Sequence, residues 1–280
     1  MLCSLTQILN IAEAKKCAIG SFNTPNMTSL RAILAAAEET QMPVIIMHAQ
    51  VHEEMGLCKM DEVAPIMLCL ADRASVPVCV HLDHGTDLSY VKKGLDLGFT
   101  SVMYDGSLLP FEQNVANTKM VVEIAEGYGA SVEAEIGAMG AGEGTTGVCE
   151  GRYTDPDEAQ KFVELTGVDA LACSFGTVHG LYAAEPNLDF ERISEIRSKT
   201  GIPVVMHGGS GVSEPDFKEC ISRGVRKINY YTYAAKAAGA AVKEFCDKSE
   251  GVVFFHDMLV CGREAMKQDV KSAMEIFCNK

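Results

Sequence analysis

The chain has no tryptophan, and aromatic residues make up only 7% of its 280 residues. The shortage of positive charge says more. Lys and Arg number 24 against 38 Asp and Glu, a net charge of −14. Such a chain is repelled by phosphate backbones and anionic headgroups, which argues against nucleic-acid and membrane partners. An anionic substrate then needs a locally positive site: a metal, helix N-termini or a few placed cations. No run approaches the roughly 20 apolar residues of a membrane span. The first residues, Met1-Leu-Cys-Ser-Leu-Thr-Gln7, lack the charged start and apolar core of a signal peptide. There is no CxxC pair among the eleven cysteines, and Cys79 and Cys173 sit inside apolar runs. That pattern fits small buried hydrophobes in a reducing compartment, so the expected location is cytoplasmic. No Pro/Ser-rich linker or composition break divides the chain, which is expected to form one domain over residues 1–280.

What is present is a hydrophobic content of 48%, ample for a core, arranged in a regular alternation. Apolar runs begin at Cys17, Pro43, Pro77, Ser101, Ser131, Ala170, Pro203 and Val225. They end at Asn23, His48, Asp83, Gly106, Gly137, Gly176, Gly209 and Tyr231. Each reads as a strand, and the continuous apolar run Pro43–His48 as one buried on both faces. Between them lie helical patterns at Met27–Thr40, Asp61–Ala74 (with Asp61 as its cap), Asp87–Leu97 and Phe111–Tyr128. Further helices start at Asp155-Pro156 and span Phe190–Lys199, Glu214–Arg223, Thr232–Asp247 and Gly262–Phe277. Eight strands alternating with helices over about 250 residues predict a (β/α)8 barrel. The alternative, a doubly wound sheet with a dinucleotide site, lacks GxGxxG in its first βα turn. Residues 137–154, with six glycines and few apolar residues, read as a mobile lid.

The polar residues gather at strand C-terminal ends, where barrel active sites form. They are Asn23, Asp83, His84, Asp105, Glu135, His179, His207 and Asn229. Simple alternation puts His81 and Asp83 on one face of strand 3, with Leu82 and His84 on the other. Three imidazoles from three strands, His84, His179 and His207, suit a catalytic zinc with an open position. Asp105 and Glu135 would then orient ligands or replace one, or simply brace the mouth. Glycine-rich turns follow strands 6 and 7 (Gly176-Thr-Val-His-Gly180 and His207-Gly-Gly-Ser-Gly211), and a phosphate site in barrels lies after strands 7 and 8. Lys227 could face inward as a Schiff-base lysine, a weaker reading beside three histidines.

These motifs, HLDHG at 81–85, SVEAEIG at 131–137, GTVHGLY at 176–182, VVMHGGSG at 204–211 and KINYYT at 227–232, resemble the class II, zinc-dependent ketose-bisphosphate aldolases. The resemblance covers about Thr6 to Lys271. It implies cleavage of a ketose phosphate to dihydroxyacetone phosphate and an aldehyde, with zinc held by His84, His179 and His207. By the same resemblance Asp83 carries the proton, and Gly180, Gly208, Gly209, Ser210, Asn229 and Thr232 contact the dihydroxyacetone-phosphate half. It also implies a monovalent cation, Na+ or K+, near that phosphate, and a homodimer or homotetramer. Asn23 is a further substrate-site candidate, and Glu143 is the acid within the glycine-rich segment best suited to proton exchange. The competing reading is a phosphosugar-binding barrel that has lost catalysis, against which the intact aspartate and histidines speak.

Two stretches depart from the family. Bisphosphate-cleaving relatives usually carry Asp-Pro-Arg ahead of the last helix, where this chain reads Phe254-Phe-His256. A permanently charged arginine gives way to His256, which argues for a distal substrate group other than a well-held phosphate. Arg152, Arg263 or another subunit's cation could restore the charge. After strand 2 the chain reads His48-Ala-Gln-Val-His-Glu-Glu54 where relatives usually have a small-residue turn.

Overall fold

The computed structural model describes residues 1–137, 140–141, 152–182 and 185–279. The eight barrel strands are β1 (Ile19–Asn23), β2 (Val44–Ala49), β3 (Val78–Gly85), β4 (Ser101–Tyr104), β5 (Ser131–Ile136), β6 (Ala170–Cys173), β7 (Val204–Met206) and β8 (Val225–Asn229). Each pairs in parallel with the next, and β8 pairs with β1, which closes the barrel. This is the (β/α)8 architecture that the alternation predicts. The strands read as apolar runs because both faces are covered. All six residues of β2 are buried, for example.

Alternate residues serve two cores. The outward set, including Val44, Ile46, Val80, Leu82 and Val204, packs under the surrounding helices. The inward set, including Ile19, Ile45, Cys79, Ala170 and Val205, packs inside the barrel against Leu5, Ile8, Leu9 and Ala12. Those four belong to a helix, Leu5–Lys15, that plugs the N-terminal end and that periodicity had not singled out. Its start was written in the sequence: Ser4 accepts the Gln7 N–H, and the Gln7 side chain accepts the Ser4 N–H, a capping box.

Two helix starts differ from expectation. Asp61 lies in the first turn of Met60–Arg73 and does not cap it. The N-cap is Lys59, and the Met60 N–H is satisfied by the Glu53 carboxylate at 2.8 Å. The last helix begins at Phe255, not Gly262. Gly262 sits inside that helix because it faces the helix Thr232–Lys248, where a Cβ would come within 3.1 Å of Val242. By contrast, Asp155 caps Pro156–Thr166 as read, with proline in the first turn.

Candidate active site

Strand β3 delivers Asp83 and His84 to the C-terminal mouth, and it breaks its own alternation to do so. His84 takes a left-handed φ of +48°, and the register with β4 slips between Leu82 and Gly85. A bulge with one left-handed residue re-aims that side chain. His84 therefore turns inward beside Asp83 instead of pointing outward with Leu82, which corrects the two-face expectation. Gly85 is required here, since a Cβ would lie 2.9 Å from the Met103 carbonyl oxygen.

The turned ring meets β4 and β7. His84 Nδ1 donates to Asp105 Oδ2 at 2.7 Å, and its Nε2 lies 2.8 Å from His207 Nδ1. The Asp105 carboxylate is held in turn by the Ser107 N–H and hydroxyl. His179 completes a triangle, its ring centroid 5.0 Å from that of His84 and 5.9 Å from that of His207. It belongs to a two-residue strand, Val178–His179, paired with Gly140–Ala141. Burial works against charge on His84, yet Asp83 and Asp105 outweigh it and raise its pKa to about 10. Burial, reinforced by the charge of His84, holds His179 down to about 3.

Beneath this triangle lies a layer of buried charge that the motifs did not single out. His207 Nε2 donates to Glu133 Oε1 at 2.9 Å. Lys227 pairs with Glu133 Oε2 at 2.9 Å and donates to Asn229 Oδ1 at 2.8 Å, and neither Lys227 nor Glu133 has any exposed side-chain surface. Burial opposes ionisation of Glu133, but Lys227 and His207 hold it down to about 2. Glu133 was legible: residues i and i+2 of a strand share a face, so an inward Glu135 puts Glu133 inward one layer lower. Lys227 does face inward, as an ion-paired cation.

Asp83 is gripped from both sides. Asn23 donates to its Oδ2 at 2.9 Å and Asn229 to its Oδ1 at 3.1 Å. Lys227, by occupying the Asn229 carbonyl oxygen, turns that amide's NH2 toward Asp83. Burial alone would raise the Asp83 pKa, but His84, His207 and Lys227 drive it well below the ordinary carboxylate range. Thus all eight strand-end residues are brought together at one mouth.

The loops after β6, β7 and β8 are stitched to each other. The Tyr182 hydroxyl donates to the Gly208 carbonyl at 2.8 Å and accepts the Val178 N–H. Gly208 has φ +66°, and a Cβ there would lie 2.2 Å from the Val178 oxygen, so only glycine fits. Ser210 Oγ accepts the N–H groups of Tyr231 and Tyr233, next to Thr232 at the start of its helix. The Gly209 N–H is already donated to Asn229 O at 3.0 Å, so it is not free for an anion. Gly180 also takes a positive φ, +90°. His256 stands apart: its side chain is 76% exposed, pairs with Asp257 and stacks on Phe254. Glu143 and most of the 137–154 segment lie outside the described residues.

Two observations test whether the mouth fits a metal ion. First, His84 and His207 each spend one ring nitrogen on a carboxylate, which turns His84 Nε2 and His207 Nδ1 on each other at 2.8 Å. At 2.8 Å a proton on His84 Nε2 bridges the two nitrogens, a place a metal ion could take, and such carboxylate–imidazole pairs are how metal-binding histidines are oriented. Second, Glu135 Oε2 is buried without a hydrogen-bond partner, 4.0 Å from His207 Nδ1. Burial first, then Asp105, raises the Glu135 pKa well above normal, as expected for a carboxylate short of a cation. Among the described residues, His84, His179 and His207 bring three donor atoms within 4.8 Å, as do His84, Asp105 and Glu135. The residues fit.

A closed barrel with imidazoles and carboxylates meeting at its strand ends defines the class: a metal-centred barrel enzyme. The chain belongs to the class II fructose-bisphosphate aldolase family, whose model, "Fructose-bisphosphate aldolase class-II", matches residues 3–280. It is 42% identical to a probable fructose-bisphosphate aldolase of Bacillus subtilis, an alignment covering 99% of this chain and 97% of the relative. It is 38% identical to a 6-phospho-5-dehydro-2-deoxy-D-gluconate aldolase of Halalkalibacterium halodurans, covering 99% and 96%. Among solved structures, the YdjI aldolase of Escherichia coli K12 superposes with a TM-score of 0.88 at 36% identity, covering 99% of this chain and 97% of that one. The protein is therefore an aldolase, a carbon–carbon lyase of a metal-dependent family. No helix among the described residues is long and apolar enough to cross a membrane.

Proposed function

We propose that this aldolase reversibly cleaves a ketose 1-phosphate, or a ketose 1,6-bisphosphate, to dihydroxyacetone phosphate and an aldehyde. The observation that carries this reading is the bulge that turns Asp83 and His84 together into the mouth. His84, His179 and His207 would hold zinc, with Asp105 and Glu135 orienting or exchanging with these ligands. When bound, the ion supplies Lewis-acid polarisation of the C2 carbonyl. Asp83, ionised and fixed by Asn23 and Asn229, takes the C4 hydroxyl proton. The C3–C4 electron pair moves toward C2 as the aldehyde leaves. The 1-phosphate docks at Gly180, Gly208, Ser210 and Thr232, with Gly209 holding the loop and a monovalent cation balancing charge. Glu143 would return a proton to C3 from the 137–154 segment, an assignment resting on sequence alone.

At the far end, we infer a distal group other than a tightly held phosphate. His256 stands where the resemblance implies an arginine in bisphosphate-cleaving relatives, and relatives near 40% identity are named for more than one substrate. The His256 side chain is exposed and contacts its neighbours Asp257 and Phe254, which favours a contact made across an interface. Exposed Val252, Phe254 and Phe255 beside it support a homodimer or homotetramer. Free cysteines support a cytoplasmic setting. The test combines metal content, dihydroxyacetone phosphate release and kcat/KM for fructose 1,6-bisphosphate, tagatose 1,6-bisphosphate and fructose 1-phosphate. A bisphosphate preferred by 10³-fold or more would overturn the distal reading, with Arg152, Arg263 or a partner's cation as the replacement. Absence of bound metal and of product would overturn the whole.

A further inference from the structure

The segment after β2 builds a short helix, Gln50–Glu54, at the mouth. In register, Ala49 at the end of β2 lies beside Asp83 on β3. The short helix Gln50–Glu54 therefore rises directly next to Asp83. Its middle residue, His52, is only 7% exposed, yet its Nδ1 has no hydrogen-bond partner. A buried imidazole nitrogen without a partner is costly, so a native one needs an explanation. The ring lies 5.3 Å from that of Tyr231, two residues beyond the Asn229 that grips Asp83. Asp83 is also close enough to act electrostatically on His52, against the burial that keeps the ring neutral.

The helix that presents this ring is pinned at several points. Gln50 Oε1 accepts the Thr86 N–H at 2.9 Å. Glu53 Oε2 accepts both the Tyr90 hydroxyl and the Met60 N–H, each at 2.8 Å. The Tyr90 oxygen is in turn 2.8 Å from Nε2 of His48, next to last in β2. His48, Tyr90 and Glu53 thus form a support for the helix that carries His52 beside the end of β3, the kind of arrangement a substrate-reading group requires.

We propose that His52 is a specificity-determining residue that hydrogen-bonds a hydroxyl of the aldehyde half of the substrate, through the Nδ1 that no protein group satisfies. The proposal rests on the aldolase reading in which Asp83 faces the C4 hydroxyl. A neutral imidazole can donate to or accept from a hydroxyl, whereas it gives a phosphate no permanent charge.

The test separates the two halves of the reaction. Hydrogen exchange of dihydroxyacetone phosphate in D2O, followed by NMR, needs only the donor half. Cleavage or condensation needs both halves. In the metal-loaded wild type, exchange must occur; its absence would defeat the aldolase reading itself, whatever His52 does. In His52→Ala, the ratio of cleavage kcat/KM to exchange rate is expected to fall about tenfold or more, as for loss of one good hydrogen bond. His52→Gln, which keeps a donor and an acceptor, is expected to recover at least a third of the wild-type ratio and covers the case in which the alanine variant fails to fold. An unchanged ratio in His52→Ala, or a His52→Gln protein no better than the alanine variant, would overturn the proposal.

Discussion

The two ends of this barrel are built from the same strands and obey opposite rules. At the N-terminal end the inward residues are apolar, including Ile19, Ile45 and Val205, and a helix seals them with Ile8 and Leu9. Toward the C-terminal end the inward residues become His81, Glu133, Lys227, Asp83, His207 and Asn229, all buried and nearly all hydrogen-bonded to one another. Burial at the sealed end stabilises the fold. Burial at the mouth costs stability, because each charge must be desolvated and then matched, but it holds reactive groups in one geometry. The contrast teaches that stability and activity should separate by substitution site.

The largest break in the comparison is expected at His207. His207→Ala removes one of three clustered imidazoles and the group oriented by Glu133. Metal retention and turnover should both be lost, as read by elemental analysis and by coupled release of dihydroxyacetone phosphate. An active, fully metallated variant would falsify the assignment. Next comes Asp83→Asn, which keeps the shape of the side chain held by Asn23 and Asn229 but not its basicity. The expected outcome is retained metal and a kcat lowered by about 10²-fold or more. Near-normal kcat would remove Asp83 from the mechanism.

Two stability tests then set one end against the other. Lys227→Met strands the Glu133 charge inside the barrel and should cost about 3–5 kcal/mol. Adding Glu133→Gln should recover part of it, because the stranded charge is gone. Leu9→Ala, in the sealed end, should cost about 2–5 kcal/mol through cavity formation. Urea denaturation measures all three. The sharper readout is activity: the folded Leu9→Ala enzyme should keep its kcat/KM. A Leu9→Ala protein as stable as wild type, or one that loses catalysis while folded, would break the division between the two ends.

How much of this was legible in sequence follows the same division. Strands buried on both faces announce themselves as apolar runs, so all eight were readable, and so were the polar residues at their ends. What escaped was what alternation cannot express. The inward turn of His84 depends on a left-handed backbone at a non-glycine residue, which no pattern marks. The Met60 helix start is satisfied by Glu53, a carboxylate that comes before it in the chain. Gly262 looked like a boundary because a glycine weakens a helix, and only the neighbouring Val242 shows why it sits inside one. Lys227 suggested a nucleophile until Glu133, on the opposite side of the barrel, supplied its counter-charge. The plug helix is marked only by its Ser4–Gln7 capping box, a local signal that strand alternation does not express.

The smallest effects give the finest comparison, because two bonds of equal length, on the neighbouring residues Ser101 and Ser131, differ in burial. Thr6 Oγ1 lies 2.8 Å from Ser131 Oγ and donates to Asp169 at 2.9 Å, tying the plug helix to the strands at an exposed position. Ser101 Oγ lies 2.8 Å from His81 Nδ1, fully buried. Burial, then Lys227, holds the His81 ring down to about 3, so the imidazole is neutral and needs a partner. When Thr6→Val removes its hydroxyl, water can replace the lost partners, and the cost should stay near 0.5–1.5 kcal/mol, roughly one ordinary hydrogen bond. Ser101→Ala admits no such replacement. It leaves a buried ring nitrogen unsatisfied beneath Asp83 and should cost about 1–3 kcal/mol. It should also lower kcat, since His81 packs in the layer that carries Glu133 and Lys227. Thr6→Val should leave kcat and KM unchanged. Equal costs for the two variants would show that burial does not set the cost of losing these bonds, and the premise that buried polar groups at the mouth must be matched would have to be abandoned.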